Sequence, residues 1–277
     1  MTPHRRLGVP QDYSSLPLVA HLAGGDLFVR HSDVPARLAL QLRERKLDAA
    51  FLTPLDYARE SSAYEIVPAV GVASDQGTGS VSLIFREEHL HTVSTVAVDP
   101  SSSAEIVLAK IILAEEYNLE PTFTPAAGPV EQLLQTADAV VLSGDASLRE
   151  VDRHPNRIDL VEAWVDMTSL PYVHGVWCAR RGLLSSEQVE CLQQSAGKGI
   201  VSLDALAAEV SGKRFPSLSQ TLLGDYLHAF SYTLTDRDLD GFQEFLRFAY
   251  YHGVLPDVGD LHFCTLTSGG DSEEESA

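Results

Sequence analysis

The sequence is short of cysteine, of positive charge and of long apolar runs, and each shortage excludes something. Cys178, Cys191 and Cys264 are the only cysteines among 277 residues, odd in number and far apart. With no CxxC pair, neither a zinc knuckle nor a disulfide framework is indicated, and three buried, reduced thiols are expected. Lys and Arg total 20 against 39 Asp and Glu, a net charge of −19. Nucleic acid and anionic membrane surfaces need clustered Lys and Arg, so neither is expected as a partner. A small anionic ligand is still compatible, because a cleft sets its own local potential. No stretch reaches the ~18 apolar residues of a membrane helix. The basic start, Met1 to Arg6, has no apolar segment behind it before Gln11 and Asp12. It is not read as a secretory signal, and a reducing cytoplasm is the expected location. GxGxxG, Walker A and GxSxG motifs are all absent, so no nucleotide cofactor or serine-hydrolase elbow is expected.

What is present is a chain with enough apolar residues, 44%, to bury a core. Its length suits two domains or one large α/β domain. Leu47 to Leu52, Gly79 to Phe85, Ser94 to Val98, Glu120 to Thr124 and Asp138 to Ser143 read as short strands. Helical patterns lie between them, from Ser32 through Lys46 with Leu38 and Leu42 on one face, Ala104 to Glu116, and Pro129 to Thr136. This alternation implies parallel sheets flanked by helices. After residue 180 the pattern turns helical, over Ser185 to Ala196, Ser202 to Val210, Ser217 to Phe230 and Asp236 to Tyr251. A short tail strand is possible near Leu261 to Leu266. From Gly269 to Ala277 the chain carries four acids and two glycines, the composition of a disordered, solvated tail.

Several residues could carry chemistry, and each has an ordinary reading beside it. His89 and His91 form an HxH near Glu87, Glu88 and Asp99, but a polar turn explains them better than a metal site. Ser14 and Ser15 follow a first strand. Ser80 begins a strand after a Gly-rich turn. Ser101 to Ser103 precede a helix, whose first N–H groups can hold a carboxylate. Each is an ordinary cap or turn when taken alone; their recurrence at strand ends and helix starts marks where ligand clefts form in α/β folds. Asp145 directly follows the strand 138–143, where it either faces a cleft or caps a turn. His174 lies in an apolar run, Tyr172 to Trp177, as a core histidine or a cleft group.

The order of these pieces resembles one family. They are Ser14-Ser15-Leu16-Pro17-Leu18, Leu47 to Pro54, Ser74-Asp75 with Ser80 to Leu83, and Ser101 to Ser103 before the helix with Leu108 to Leu113. Ser143 to Leu148 follows. The longest match is Asp159-Leu160 through Trp164, Thr168, Leu170 to Val173 and Val176-Trp177. Over residues 7 to 250 the chain resembles the chorismate dehydratase and 1,4-dihydroxy-6-naphthoate synthase family of the futalosine route to menaquinone, and is closer to the dehydratase branch. The resemblance implies an α/β fold of the two-lobed, type II periplasmic-binding-protein kind. Lobe one would comprise residues 1–85 and 178–277, and lobe two residues 86–177, with crossovers near Phe85-Arg86 and His174 to Trp177.

The resemblance also implies a cofactor-free and metal-free hydro-lyase that converts chorismate to 3-[(1-carboxyvinyl)oxy]benzoate. Ser14, Ser80 and His174 would be catalytic, while Ser15, Ser102, Ser103, Asp145 and Thr168 would bind substrate. The partner would be a small anionic organic acid, and a homodimer is possible. Three positions depart from the dehydratase pattern. Ser14 stands where the family carries Asn, Ser102-Ser103-Ala104-Glu105 replaces Ser-Arg-Thr-Ser, and His174 replaces a hinge Phe. His174 would then supply the positive or proton-transferring group that the missing Arg leaves vacant. The alternatives are a non-catalytic cytoplasmic binding protein for a cyclic carboxylate and a naphthoate-synthase-type enzyme.

Overall fold

The structure, a computed structural model, describes residues 4–22, 27–86 and 90–266. The expected acidic tail and the HxH partners Glu87, Glu88 and His89 lie outside the described residues. The first sheet begins with β1 (Arg5–Val9), β2 (Phe28–Ser32) and β3 (Ala49–Leu52). It is completed by two longer strands, β4 (Tyr64–Ser74) and β10 (Tyr172–Arg180), in the order β2-β1-β3-β10-β4. All four residues of β3 are buried, as a central strand covered on both faces requires. β1 runs parallel to β2 and β3, but β10 runs antiparallel to both β3 and β4.

The second sheet holds β5 (Val81–Phe85), β6 (Thr95–Val98), β7 (Thr122–Pro125), β8 (Ala139–Ser143) and β9 (Arg157–Asp159), in the order β7-β6-β8-β5-β9. Here β6 is parallel to its neighbours and β5 antiparallel to its own. Both sheets are therefore mixed, and the expectation of parallel sheets is corrected. The reason is topological: in each sheet one strand beside a crossing segment enters against the direction of the βα units. The expected crossover at Phe85-Arg86 also moves. β5 pairs in the second sheet, so the chain leaves the first sheet after Ser74 and rejoins it at Tyr172, ahead of the expected return.

Side chains of the first sheet alternate between two apolar layers, following the period of two along a strand. Leu7, Ala49, Phe51 and Trp177 face α1 (Leu16–Val19), α8 (Ser186–Val201) and α10 (Gln220–His228) through Leu18, Val189, Leu192, Leu223 and Leu227. Ala50, Leu52, Val176 and Cys178 belong to the other layer, with α2 (Pro35–Arg43), α3 (Pro54–Ala58) and α11 (Asp236–Tyr251). That layer continues through α4 (Ser103–Glu115) and α7 (Leu160–Thr168) into the second sheet at Leu83, Val96 and Val141. One core thus spans both sheets. The remaining helices are α5 (Val130–Leu133), α6 (Gly144–Glu150) and α9 (Leu203–Val210).

The 159–177 motif builds the return between the sheets. Asp159 caps α7 by accepting from the Val161 and Glu162 amides and also accepts from Gly79 N–H at 2.6 Å. Trp164 is fully buried edge-on to Tyr172, Phe245 and Phe248, and its indole N–H donates to Pro171 C=O at 3.3 Å. Gly175 lets β10 cross Phe51: a Cβ there would lie 2.2 Å from the Phe51 ring.

Candidate functional site

Where the two sheets face each other a cavity of about 370 Å³ opens, a size suited to a compact organic ligand. Each wall comes from an element end. The first-sheet side supplies Asp12, Ser14 and Ser15 after β1, Phe51 on β3 and Thr53 just after it, Val72 on β4, and His174 on β10. The second-sheet side supplies Ser80 before β5, Ser101 to Ser103 and Glu105 at the start of α4, and Ser143 to Ala146 at the β8–α6 junction. Arg149, Arg214 and Phe215 complete the wall.

Seven of the eight residues expected at the site line this cavity. Ser14 and Ser15 sit in a 3-10 turn, Tyr13–Ser15, and the Ser15 hydroxyl donates to the Asp12 carbonyl at 2.8 Å. Ser80 is buried, pairs its hydroxyl with that of Thr78 at 2.6 Å, and accepts from Gly144 N–H through its carbonyl. Ser102 is the N-cap of α4, yet its side chain makes no capping bond. Its hydroxyl instead pairs with that of Ser143 at 2.7 Å. The first-turn amides of α4 are thereby left without a hydroxyl cap, beside Ser103 in the cavity wall.

Asp145 is not a free ligand group. One oxygen accepts from Tyr13 N–H at 2.9 Å and the other from the Arg214 guanidinium at 2.9 Å. It clasps the two sides of the cavity. Burial, with Asp12 close by, raises its carboxyl to about 6. Thr168 does not reach the site. Its hydroxyl donates to Trp164 C=O at 2.8 Å and accepts from Leu170 N–H at 3.2 Å, closing the last turn of α7. Ser169 then ends the helix in the left-handed region. The expected substrate contact at Thr168 is thus corrected to a helix-terminating one.

His174 lines the cavity, but not as a cation. Its ring stands edge-on between Tyr172 and Phe230, with centroids 4.9 and 5.1 Å away. Its only hydrogen-bond partner among the described residues is the Ser74 hydroxyl, Oγ to Nε2, 3.3 Å. Burial pushes its pKa down to about 3, so the imidazole is neutral. The expected replacement of the missing Arg by a charged His174 does not hold.

Apart from Asp145, sequence reading missed the charged groups of the wall. Asp12, Asp56, Asp99 and Glu105 all face the cavity. Burial raises Asp12, Asp56 and Glu105, the last to about 7. Arg149 and Arg214 stack on the Phe215 ring, 4.6 and 5.1 Å from its centroid. The one signal for Arg214 is the basic, Gly-containing loop Ser211 to Phe215 in an otherwise acidic chain. Outside the cavity, Glu131, Glu150 and His154 place ligand-type atoms within 4.8 Å of one another. His154 and Arg153 already engage Glu150 there. No helix of the described residues is long and apolar enough to cross a membrane.

Comparison with known proteins agrees with this geometry. The sequence pattern of a family described as menaquinone biosynthesis matches residues 5–251. The chain belongs to that family. A chorismate dehydratase of Thermus thermophilus is 27% identical over 257 residues, covering 86% of this chain and 93% of that protein. Among solved structures, a Candida albicans protein with the generic periplasmic binding protein fold aligns at a TM-score of 0.69 and 13% identity, over 97% of this chain and 99% of that one. The periplasmic aliphatic sulphonate binding protein of Escherichia coli aligns at 0.68 and 14%, over 100% and 97%. At such identities these two show the fold: a two-lobed, periplasmic-binding-protein-like α/β architecture, as the sequence resemblance implies.

Proposed function

We propose that this menaquinone-biosynthesis family member is a carbon–oxygen lyase that dehydrates chorismate, or a close cyclic carboxylate, to 3-[(1-carboxyvinyl)oxy]benzoate without a cofactor. One observation carries this reading above the others: a cavity between two sheets with eight hydroxyl side chains on its wall, at the open start of the 13-residue helix α4. The dehydratase relative supports the choice of substrate.

A substrate carboxylate sits at Ser103 and the uncapped α4 amides, where the helix dipole favours negative charge. Arg149, stacked on Phe215 at the cavity wall, adds a positive charge. Ser14 and Ser80, from opposite sides of the cavity, face the ring and donate hydrogen bonds to the departing hydroxyl. Loss of water makes the ring aromatic, so the driving force belongs to the substrate. The protein supplies orientation and preorganised donors. Phe51 and Val72 give the ring an apolar wall.

The test is to incubate the purified protein with chorismate and follow loss of its diene absorbance. Wild type is expected to consume it. Ser14→Ala should lower kcat by about 10- to 100-fold, as removal of a positioned donor does, with an unchanged circular dichroism spectrum. If chorismate raises the melting temperature but is never consumed, the protein is a carboxylate binder and the lyase reading fails.

A further inference from the structure

Within the proposed lyase reading, we infer that Glu105 is the proton-transferring catalytic residue of the cavity. Glu105 stands in the first turn of α4, directly after the serines that would hold a substrate carboxylate, and lines the same cavity as Ser14, Ser80 and His174. The other acids of the wall are engaged or solvated. Asp12 accepts from the Asp145 backbone amide and lies beside Arg214. Asp145 is bound by Tyr13 and Arg214, and Asp56 by Thr53 and Arg59. Asp99 holds the Ser101 amide and hydroxyl at the cavity rim. Among the described residues Glu105 has no cationic or hydroxyl partner.

The Glu105 backbone N–H donates to its own carboxylate and favours the charge, while the acidic groups around it oppose it. Asp12 faces it from the turn after β1 and Asp56 from α3. Tyr172 from β10 feels its charge but carries none of its own at neutral pH. His174, on the same cavity wall, is neutral. Desolvation comes first; the residue's own amide pulls the other way, and the two carboxylates add to the rise, leaving the Glu105 carboxyl at about 7. A group poised there exchanges protons in either direction at neutral pH. Neither neutral His174 nor the serines offer a comparable base.

The step balances on this one group. The Glu105 carboxylate takes the proton from the ring carbon that bears the ether oxygen. The C–H electron pair becomes a ring double bond, and the adjacent C–OH bond breaks with its pair on oxygen. The departing hydroxide takes the proton back from the Glu105 carboxylic acid and leaves as water. Glu105 ends as it began, and nothing is oxidised or reduced.

The experiment compares wild type, Glu105→Gln and Glu105→Asp for chorismate turnover across pH, with the melting-temperature shift by chorismate as an independent measure of binding. Wild-type kcat/KM should titrate with a midpoint near 7. Glu105→Gln should lose at least about 100-fold in kcat, the size of a general acid–base contribution, and lose the titration while keeping the thermal shift. Glu105→Asp should recover part of the rate. A Glu105→Gln variant within threefold of wild type, in a protein that does turn chorismate over, overturns the role of Glu105 alone. A wild type that binds chorismate without consuming it overturns the lyase reading and the role of Glu105 with it.

Discussion

At the residue scale the site is governed by carboxylates that burial keeps close to neutral. Glu105 lies near 7, well above its usual range, so ionising it opposes folding. The sign follows from linkage. A raised folded-state value gives stability that is fully present below the unfolded value, near 4.5, and is lost as pH rises through about 7. Glu105→Gln removes that loss. Its side chain is partly open to the cavity, so the gain is discounted to about 1–2 kcal/mol at pH 8. Urea unfolding at pH 5 and pH 8 measures it: the variant should gain stability over wild type at pH 8 and very little at pH 5. The serines of this site were legible in the sequence because a serine at a strand end or helix start is visible in one dimension. The charged groups were not. Nothing in the residues around Asp12, Glu105 or Arg214 says that chain segments over ninety residues apart meet around one cavity. Burial, which sets the acid–base chemistry, exists only in three dimensions. The same holds for His174, which reads as a cation in sequence and is neutral once Tyr172 and Phe230 enclose it.

At the element scale the helical half was the more readable. Ser185 with Gln188 forms a capping box at the start of α8, and Ser219 caps α10, so local signals mark both starts. β4 was passed over, since Pro68 and the left-handed Ala69 interrupt its run. β9, with three residues, leaves almost no pattern. The packing of α8 on α1 gives a paired prediction. Gly199 lies against Pro17, where an added Cβ would fall 1.9 Å from the Pro17 carbonyl oxygen, while Gly197 in the same helix meets nothing within 4 Å. Gly199→Ala should therefore push α1 off and cost at least about 1–3 kcal/mol, the range for overpacking. Gly197→Ala should gain about 0.5–1 kcal/mol from helix propensity alone. Thermal melts of both variants that moved in the same direction would refute this account of the α1–α8 contact.

At the scale of the whole molecule, two mixed sheets share one core and face each other across the cavity. The two-lobed architecture was legible through the order of motifs. Its seams were not, because β5 reads as the end of one unit while its hydrogen bonds place it in the next. The longest of those motifs, from Asp159 to Trp177, proves to be the structural return between the sheets, with Trp164 as its buried anchor. The proposed chemistry sits apart from it, on loops that the sheets bring together, and consists in removing water from a cyclic carboxylate. Mass spectrometry of chorismate after incubation with the protein tests it most directly. The account predicts a product lighter than chorismate by one water, with the aromatic spectrum of a benzoate ether. Chorismate recovered unchanged, in the presence of protein that it demonstrably stabilises, would contradict it.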